Sequence, residues 1–381
     1  MSRQDFPALP SKTPLPAVPA VRAAPAPSRS GPGRRAVFQP EGVSRMPVRV
    51  GINGFGRIGR QFLRIALERK DIEVAAVNDI TRPETLAHLF KYDTNYGPFP
   101  GRVKTEADGL TIDGRKVAVL AKENPAELPW RDLGVEVVVE STGLFTQAEK
   151  AVIHIDKGGA KKVIISAPAE NEDVTIVLGV NEKAYDPARH RVISNASCTT
   201  NCLAPVAKVL HDEFGLEYGL MTTIHAYTND QRILDLPHQD LRRARAAAQN
   251  IIPTSSGVTK AIGAVIPELK GRLSGFSLRV PTPTVSIVDL VANFARPVTE
   301  ETINAAFQRA AAGPLGRYLD ITFEKLVSVD FKGNPKSAIV DGLSTMVIGE
   351  RMAKVLAWYD NEWGYSNRLV EIVAFVVSKG L

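Results

Sequence analysis

From Val48 onward the chain alternates short apolar runs with amphipathic stretches. Val48–Ile52 predicts a strand. Arg57–Arg69 predicts a helix, with Ile58, Phe62, Ile65 and Ala66 spaced to share one face. Val74–Asn78 predicts the next strand, and similar runs recur at Val135–Glu140, Lys162–Ser166, Thr175–Leu178 and Val192–Ser194. Strands alternating with helical pattern predict an α/β protein built on a parallel, doubly wound sheet. A helix is expected from Cys198 to about Phe214. Beyond it, Leu278–Val280, Val285–Phe294 and Met352–Tyr359 alternate as strands, which predicts a second, α+β part with a mixed or antiparallel sheet. Ser366–Ser378 carries apolar residues at Leu369, Ile372, Val373, Val376 and Val377 and reads as a terminal amphipathic helix.

Composition adds little to this picture except at the N-terminus. The 381 residues are 44% hydrophobic and 23% charged, ordinary globular values for two or three domains. No apolar run reaches the roughly 18 residues of a membrane span. Residues 1–45, however, hold nine of the 26 prolines. Such a stretch cannot bury enough apolar surface to offset its ordering entropy, so residues 1–46 are expected to be a disordered Pro/Ala/Arg-rich extension. Its Arg- and Ser-rich, acid-poor character admits a targeting peptide, and its proline content opposes one. An interaction arm is a second reading. The third, preferred here, is that translation starts at Met46, immediately before the first strand. Seven basic and two acidic side chains place +5 of the net +6 in residues 1–45. The remainder is almost neutral, so charge does not call for a nucleic-acid partner.

The two cysteines, Cys198 and Cys202, are four apart. A disulfide between them would constrain little, and no second pair exists to build a zinc site, so no metal is expected. Two free thiols suit a reducing compartment.

Gly54-Phe55-Gly56-Arg57-Ile58-Gly59 follows a predicted strand and opens a predicted helix. Alone, G-x-G-x-x-G is a weak signal. In this setting it fits the Rossmann dinucleotide turn: Gly54 for the bend, Gly56 for close approach of a pyrophosphate, Gly59 for helix–strand packing. Asp79 ends the next strand, 20 residues past Gly59, where a carboxylate accepts from ribose hydroxyls and repels a 2′-phosphate. An ordinary turn aspartate is the bland alternative. Arg82 could reach a 2′-phosphate and admit NADP; a solvated surface arginine is the preferred reading.

Cys198 falls where a strand gives way to a helix, among Ser197, Thr199, Thr200 and Asn201. A free cysteine is ordinarily a small packed hydrophobe. Here the helix N-terminus and polar neighbours favour a thiolate nucleophile, with Cys202 one turn on as a buried inert thiol. A nucleophile needs a base. His88, His154 and His211 lie in helical stretches and read as packed or surface residues. His190 sits in a loop among arginines. His225 ends an apolar strand and begins a polar loop, which gives it a modest edge over His238.

At this point a resemblance enters. SNASCTTNCLAP at 194–205, GINGFGRIGR at 51–60, HAYTNDQRILDLPHQDLRRAR at 225–245, IIPTSSG at 251–257, RVPTPTVS at 279–286 and YDNEWGYSNR at 359–368 together resemble the phosphorylating glyceraldehyde-3-phosphate dehydrogenases over residues 47–381. The resemblance implies an NAD-binding domain at 47–197, a catalytic domain at 198–360, and a C-terminal helix, 361–381, returning to the first. It implies Cys198 as nucleophile and His225 as base, with glyceraldehyde 3-phosphate oxidised through a thioester that inorganic phosphate resolves. It implies Thr228 and Arg279 at the substrate phosphate. Ser197, Thr199, Ser256 and Gly257 fall at the attacking phosphate, although the family more often has threonine at the Ser256 position. Arg57 and Ile58 are implied near the pyrophosphate, Asn361 at the nicotinamide carboxamide, and Tyr365 beside the ring. Leu236-Pro237 resembles the NAD-preferring pattern, on a loop that would approach the adenosine ribose of a neighbouring subunit, and the charged segment Asp235–Arg245 corresponds to a subunit-contact loop, so a homotetramer is expected; the free thiols make it a cytoplasmic one.

Two related enzymes compete with this reading. Erythrose-4-phosphate dehydrogenase shares the cysteine segment, but HAYTND and PTSSG favour glyceraldehyde 3-phosphate. Aspartate-semialdehyde dehydrogenase uses thioester chemistry on an unphosphorylated substrate, usually with NADP, which Asp79 opposes. A binding or scaffold protein, for RNA in particular, would be under no requirement to keep Cys198, His225 and both phosphate sets together.

Overall fold

The computed structural model describes residues 46–381; the expectations for the N-terminal extension lie outside these residues. Two sheets organise the chain. The first is built from β1 (Val48–Asn53), α1 (Arg57–Ala66), β2 (Ile72–Asn78), α2 (Pro83–Lys91), β3 (Val103–Glu106), β4 (Gly109–Ile112), β5 (Arg115–Leu120), β6 (Val137–Glu140), the short α3 (Ala148–Ala151) and α4 (Ile153–Asp156), β7 (Lys162–Ile165), β8 (Val174–Thr175) and β9 (Val192–Ser194). Its nine strands run in the order β3-β4-β5-β2-β1-β6-β7-β9-β8. All neighbours from β5 to β8 pair in parallel, and β3 and β4 add an antiparallel edge. The chain reverses direction across the sheet between β1 and β6. A crevice at the carboxyl ends of the strands forms at such a switch point.

α5 (Cys198–Phe214) leads into the second sheet, made of β10 (Leu216–Ala226), β11 (Ile252–Ser255), β12 (Leu273–Val280), β13 (Ser286–Phe294), β14 (Leu319–Thr322), β15 (Ala338–Asp341), β16 (Met346–Ile348) and β17 (Met352–Tyr359), with α6 (Val258–Val265) and α7 (Glu300–Ala312). The order is β11-β12-β10-β13-β17-β15-β14, with β16 beside β17, and the pairing is mixed but mainly antiparallel. β13 and β17 alternate buried and half-buried side chains, the pattern of a sheet covered on one face. α5, α6 and α7 supply the cover: Leu203, Val206, Leu210, Ile262, Ile303 and Phe307 pack with Val288, Leu290 and Val355. The last helix, α8 (Trp363–Lys379), belongs elsewhere. Its Leu369, Ile372, Val373 and Val376 are fully buried with Val50, Ile52 and Phe62 of β1 and α1.

The fold class matches the sequence expectation, with local departures. The strand expected at Thr175–Leu178 is cut to Val174–Thr175. Asn181 intervenes: its Oδ1 accepts from Val177 N and its Nδ2 donates to Thr175 O, both at 2.8 Å, taking over groups that would have joined a ladder. The helix expected to reach Arg69 stops at Ala66, and Arg69 instead folds back to pair with Asp71. β3, β4 and β5 were not anticipated. Asp113-Gly114, at φ 47° and 83°, is the two-residue turn joining β4 to β5, and such a pair between alternating residues is a hairpin signal. No described helix is long and apolar enough to cross a membrane.

Candidate active site

The dinucleotide turn has the geometry its glycines require. Gly54 adopts φ +93°, a region that disfavours side chains. A Cβ on Gly59 would lie 2.3 Å from Gly54 O, so helix and turn close on each other only with glycine there. A Cβ on Gly56 would meet nothing within 4 Å: the backbone is open on that side. α1 begins after Gly56 with no side chain capping its first N–H groups. An uncapped helix start beside an open glycine suits a pyrophosphate, so the residues fit a dinucleotide. Asp79 faces this turn, its Oδ2 accepting from Phe55 N and its Oδ1 from Thr81 N, both at 3.0 Å. Arg82 is exposed and sits just outside α2 as its N-cap residue.

Arg57 does something the sequence did not reveal. Its guanidinium spans Asp93 (Nη1–Oδ2, 2.6 Å) and Glu362 (Nε–Oε1, 2.8 Å), tying the start of α1 to the segment before α8. Burial works against its charge, yet Glu362 and Asp93 hold the guanidinium above its ordinary value. The side chain is thus engaged by the two carboxylates, which leaves the uncapped backbone N–H groups of the helix start as the open donors there.

Cys198 is the first residue of α5. Ser197 caps that helix, its Oγ accepting from Thr200 N at 3.0 Å, and Ala196 before it holds φ 54°, pinned by Tyr365 Oη donating to Ala196 O at 2.8 Å. These contacts fix where the thiol points. His225 lies near the end of β10, and the parallel register sets it opposite Arg279 on β12. The three side chains therefore converge. His225 Nε2 lies 3.5 Å from Cys198 Sγ, and Arg279 Nη1 lies 2.7 Å from His225 Nδ1. Ala226 O sits 2.6 Å from the same Nδ1 and accepts from Arg279 at 3.1 Å. Arg279 Nε is buried with no hydrogen-bond partner, a donor suited to an anion.

Burial pushes the Cys198 thiol up, opposed by Arg279 and by hydrogen bonds from Thr199. Burial is thus the largest influence on this thiol and acts against the charged form. Cys198 keeps partial exposure, and fully buried Cys202 is pushed further. Burial, and then Arg279, push the His225 imidazole down to about 3.

The other residues singled out from sequence divide. Thr199 Oγ1 shares a 2.9 Å hydrogen bond with Tyr359 Oη, which bonds Thr223 at the same distance and meets the His225 ring edge-on. Ser256 Oγ accepts from Val258 N at 3.4 Å beside Gly257, which precedes α6. Thr228 N donates to Gln231 Oε1 in the loop after β10. Asn361 Oδ1 accepts from Ser286 Oγ, which in turn accepts from Ala226 N, each at 3.0 Å; this links the residue expected at the nicotinamide to the strand that carries His225. Tyr359 and Ser286 were missed. Tyr359 closes an alternating strand, where a buried tyrosine with two hydroxyl partners looks like any core aromatic. Cys202 is buried with its Sγ 3.7 Å from Ala357 O, as an inert thiol. Among the described residues no cluster could hold a metal ion.

Comparison with known proteins finds two matching domain families. Residues 48–148 match the glyceraldehyde 3-phosphate dehydrogenase NAD binding domain, and residues 197–361 match the C-terminal domain of the same enzymes. The chain is 58% identical over 336 residues to glyceraldehyde-3-phosphate dehydrogenase of Geobacillus stearothermophilus, covering 88% of this chain and 100% of that one. It is 57% identical over 336 residues to glyceraldehyde-3-phosphate dehydrogenase 1 of Bacillus subtilis, with the same coverage. It is 58% identical over 332 residues to glyceraldehyde-3-phosphate dehydrogenase 2 of Streptomyces avermitilis, 87% of this chain and 99% of that one. Fold, glycine turn and matched domains define an NAD-dependent oxidoreductase. The chain belongs to the glyceraldehyde-3-phosphate dehydrogenase family.

Proposed function

We propose that this chain oxidises D-glyceraldehyde 3-phosphate to 1,3-bisphosphoglycerate with NAD and inorganic phosphate, using Cys198 as nucleophile and His225 as acid–base group. The observation that carries the residue roles is the Cys198–His225–Arg279 convergence. The division into 47–197, 198–360 and 361–381 belongs to the same reading.

In this mechanism Arg279 turns to the substrate phosphate, its orphaned Nε and freed Nη1 supplying charge-assisted donors. Ala226 O then holds the proton of His225 on Nδ1, and the Nε2 lone pair faces Cys198. The thiol proton passes to Nε2, sulfur adds to the aldehyde carbon, and the proton moves on to the aldehyde oxygen. NAD held at the Gly54–Gly59 turn would supply the hydride acceptor. As hydride leaves, His225 takes back the hydroxyl proton, and a thioester remains on Cys198. Inorganic phosphate, held by hydroxyls and backbone N–H groups around Ser197, Thr199, Ser256 and Gly257, attacks the thioester carbonyl and displaces the sulfur. The sulfur recovers its proton from His225.

Tyr218, Leu220 and Phe276 lie exposed on the second sheet, which supports burial against further copies and hence the homotetramer. Two free thiols favour the cytoplasm. The experiment is the initial rate of NADH formation with glyceraldehyde 3-phosphate, with and without phosphate, and with NADP or erythrose 4-phosphate substituted. Rapid, phosphate-dependent turnover with NAD is expected. Preference for erythrose 4-phosphate would change the substrate, and preference for NADP would restore a role to Arg82.

A further inference from the structure

A second buried cluster lies on the cofactor side of the molecule, away from the thiol. Glu140 ends β6 at the switch point of the first sheet, and its side chain is essentially inaccessible. Four donors surround its carboxylate. Oε2 accepts from Asn53 Nδ2 at 2.6 Å and from His154 Nε2 at 3.0 Å. Oε1 accepts from Thr142 N at 2.8 Å and from Thr142 Oγ1 at 2.5 Å. Thr142 Oγ1 itself accepts from Leu144 N, so its own hydrogen goes to Glu140. The roles at His154 are fixed from behind. Trp130 Nε1, which can only donate, lies 3.0 Å from His154 Nδ1. Nδ1 must accept, so the ring proton is on Nε2 and points at Glu140.

The cluster grips both lips of the cofactor crevice. Asn53 immediately precedes Gly54, and its Oδ1 accepts from Asn78, the residue before Asp79. Ser141 N donates to Asn53 O and Ser141 Oγ to Gly54 O, so the loop after Glu140 lies directly on the glycine turn. A Cβ on Gly54 would meet Thr142 N at 2.6 Å. The tryptophan is wedged as tightly: a Cβ on Gly51 would lie 2.7 Å, and one on Gly158 2.5 Å, from its ring. Trp130, His154 and Glu140 are thus held in line by β1 on one side and by the end of α4 on the other.

We propose that Glu140 is a positioning residue for the dinucleotide: it sets the loop Ser141–Leu144 against the glycine turn, and the Trp130–His154 pair enforces its role by presenting a fixed donor. The proposal rests on the reading of Gly54–Gly59 as the cofactor turn. Because every neighbour donates, a carboxylate satisfies the site and an amide of the same shape does not. Glu140→Gln must set its NH2 against at least one donor and push a lip aside.

The partner change follows. In Trp130→Phe, Nδ1 is free to carry the proton, and Nε2 becomes an acceptor that an amide at position 140 can donate to, which leaves Asn53 Nδ2 as the one donor the amide nitrogen still opposes and makes the rescue partial. The two substitutions should therefore compensate each other, which independent packing defects would not do.

The test is calorimetric titration of the apo protein with NAD, together with KM for NAD and for the aldehyde. Glu140→Gln is expected to weaken NAD binding by about tenfold or more, with KM for the aldehyde nearly unchanged. Trp130→Phe added to it should regain several-fold of that loss. Unchanged NAD affinity in Glu140→Gln, or strictly additive losses in the double variant, would overturn the proposal. Failure of the wild-type protein to bind NAD would instead overturn the reading of the turn. Should Glu140→Gln not fold, the 15N shifts of His154 in the wild-type protein decide: protonated Nε2 is expected, and a protonated Nδ1 refutes the arrangement.

Discussion

Arg279 donates from Nη1 to Nδ1 of His225 across 2.7 Å, so a buried guanidinium sits against the imidazole whose other nitrogen faces Cys198. Burial and this guanidinium place the imidazole near 3, below its ordinary 6.5. Above pH 6.5 the ring is neutral in both folded and unfolded chains and contributes nothing to pH dependence. As pH falls from 6.5 toward 3 the unfolded chain takes up a proton that the folded one refuses, so stability declines. The loss from this one group is about 2 kcal/mol at pH 5. Urea denaturation at pH 7 and pH 5 checks it: His225→Gln should lose less stability on acidification than the wild type, and Arg279→Leu should fall between them. Equal acid sensitivity in all three would remove His225 as the cause.

The two thiols should separate cleanly. Cys198→Ser is expected to abolish dehydrogenase activity while leaving NAD binding intact, because Cys198 lies outside the Gly54–Gly59 turn and its thiol pairs with His225. Cys202→Ser puts a hydroxyl into a fully buried position 3.7 Å from Ala357 O. It should cost about 1 kcal/mol of stability and change kcat less than twofold. A Cys198→Ser protein with full turnover would refute the nucleophile; inactivation by the Cys202 change would show that the inner thiol is not inert.

Arg57 makes a different prediction. Removing it takes away the guanidinium hydrogen-bonded to both Asp93, whose side chain is 1% exposed, and Glu362. Arg57→Met is expected to destabilise the protein by about 3 kcal/mol, and Arg57→Lys should recover little, since one ammonium cannot reproduce the fork that meets both carboxylates. Chemical denaturation measures both. A neutral Arg57→Lys would mean that charge alone suffices.

Gly59→Ala would place a methyl 2.3 Å from Gly54 O. NAD affinity should fall by more than tenfold, because the helix start moves away from the turn. Gly56→Ala has open space on the protein side, so it should weaken NAD binding through the ligand and leave the melting temperature nearly unchanged. Opposite rankings in melting temperature would contradict these assignments.

Much of this was legible along the chain because it is local. Period and alternation gave the central strands of both sheets, and the helix after the strand-to-helix transition starts at Cys198, the residue expected. The glycine spacing carried its own geometry. What stayed hidden depends on pairs far apart in sequence. His225 met Arg279 through the register of β10 and β12, and nothing near His225 announces that partner. Glu362 lies 305 residues from Arg57. His154 looked like an ordinary helical histidine, and it is indeed packed; its partners Trp130 and Glu140 come from other elements. Asp113-Gly114 is the one missed signal that was local.

The helix that ends the chain fills the core beneath the strand that begins the described residues. During synthesis, therefore, the first sheet leaves the ribosome with a hole in its packing, and Val50, Ile52 and Phe62 stay without their final neighbours until the last residues emerge. Sequential folding of independent domains is closed to this topology. The nascent cofactor-binding half must wait, exposed to chaperones, while the whole second sheet is made; a chain halted before α8 would carry Cys198, His225 and Arg279 without a finished core around β1.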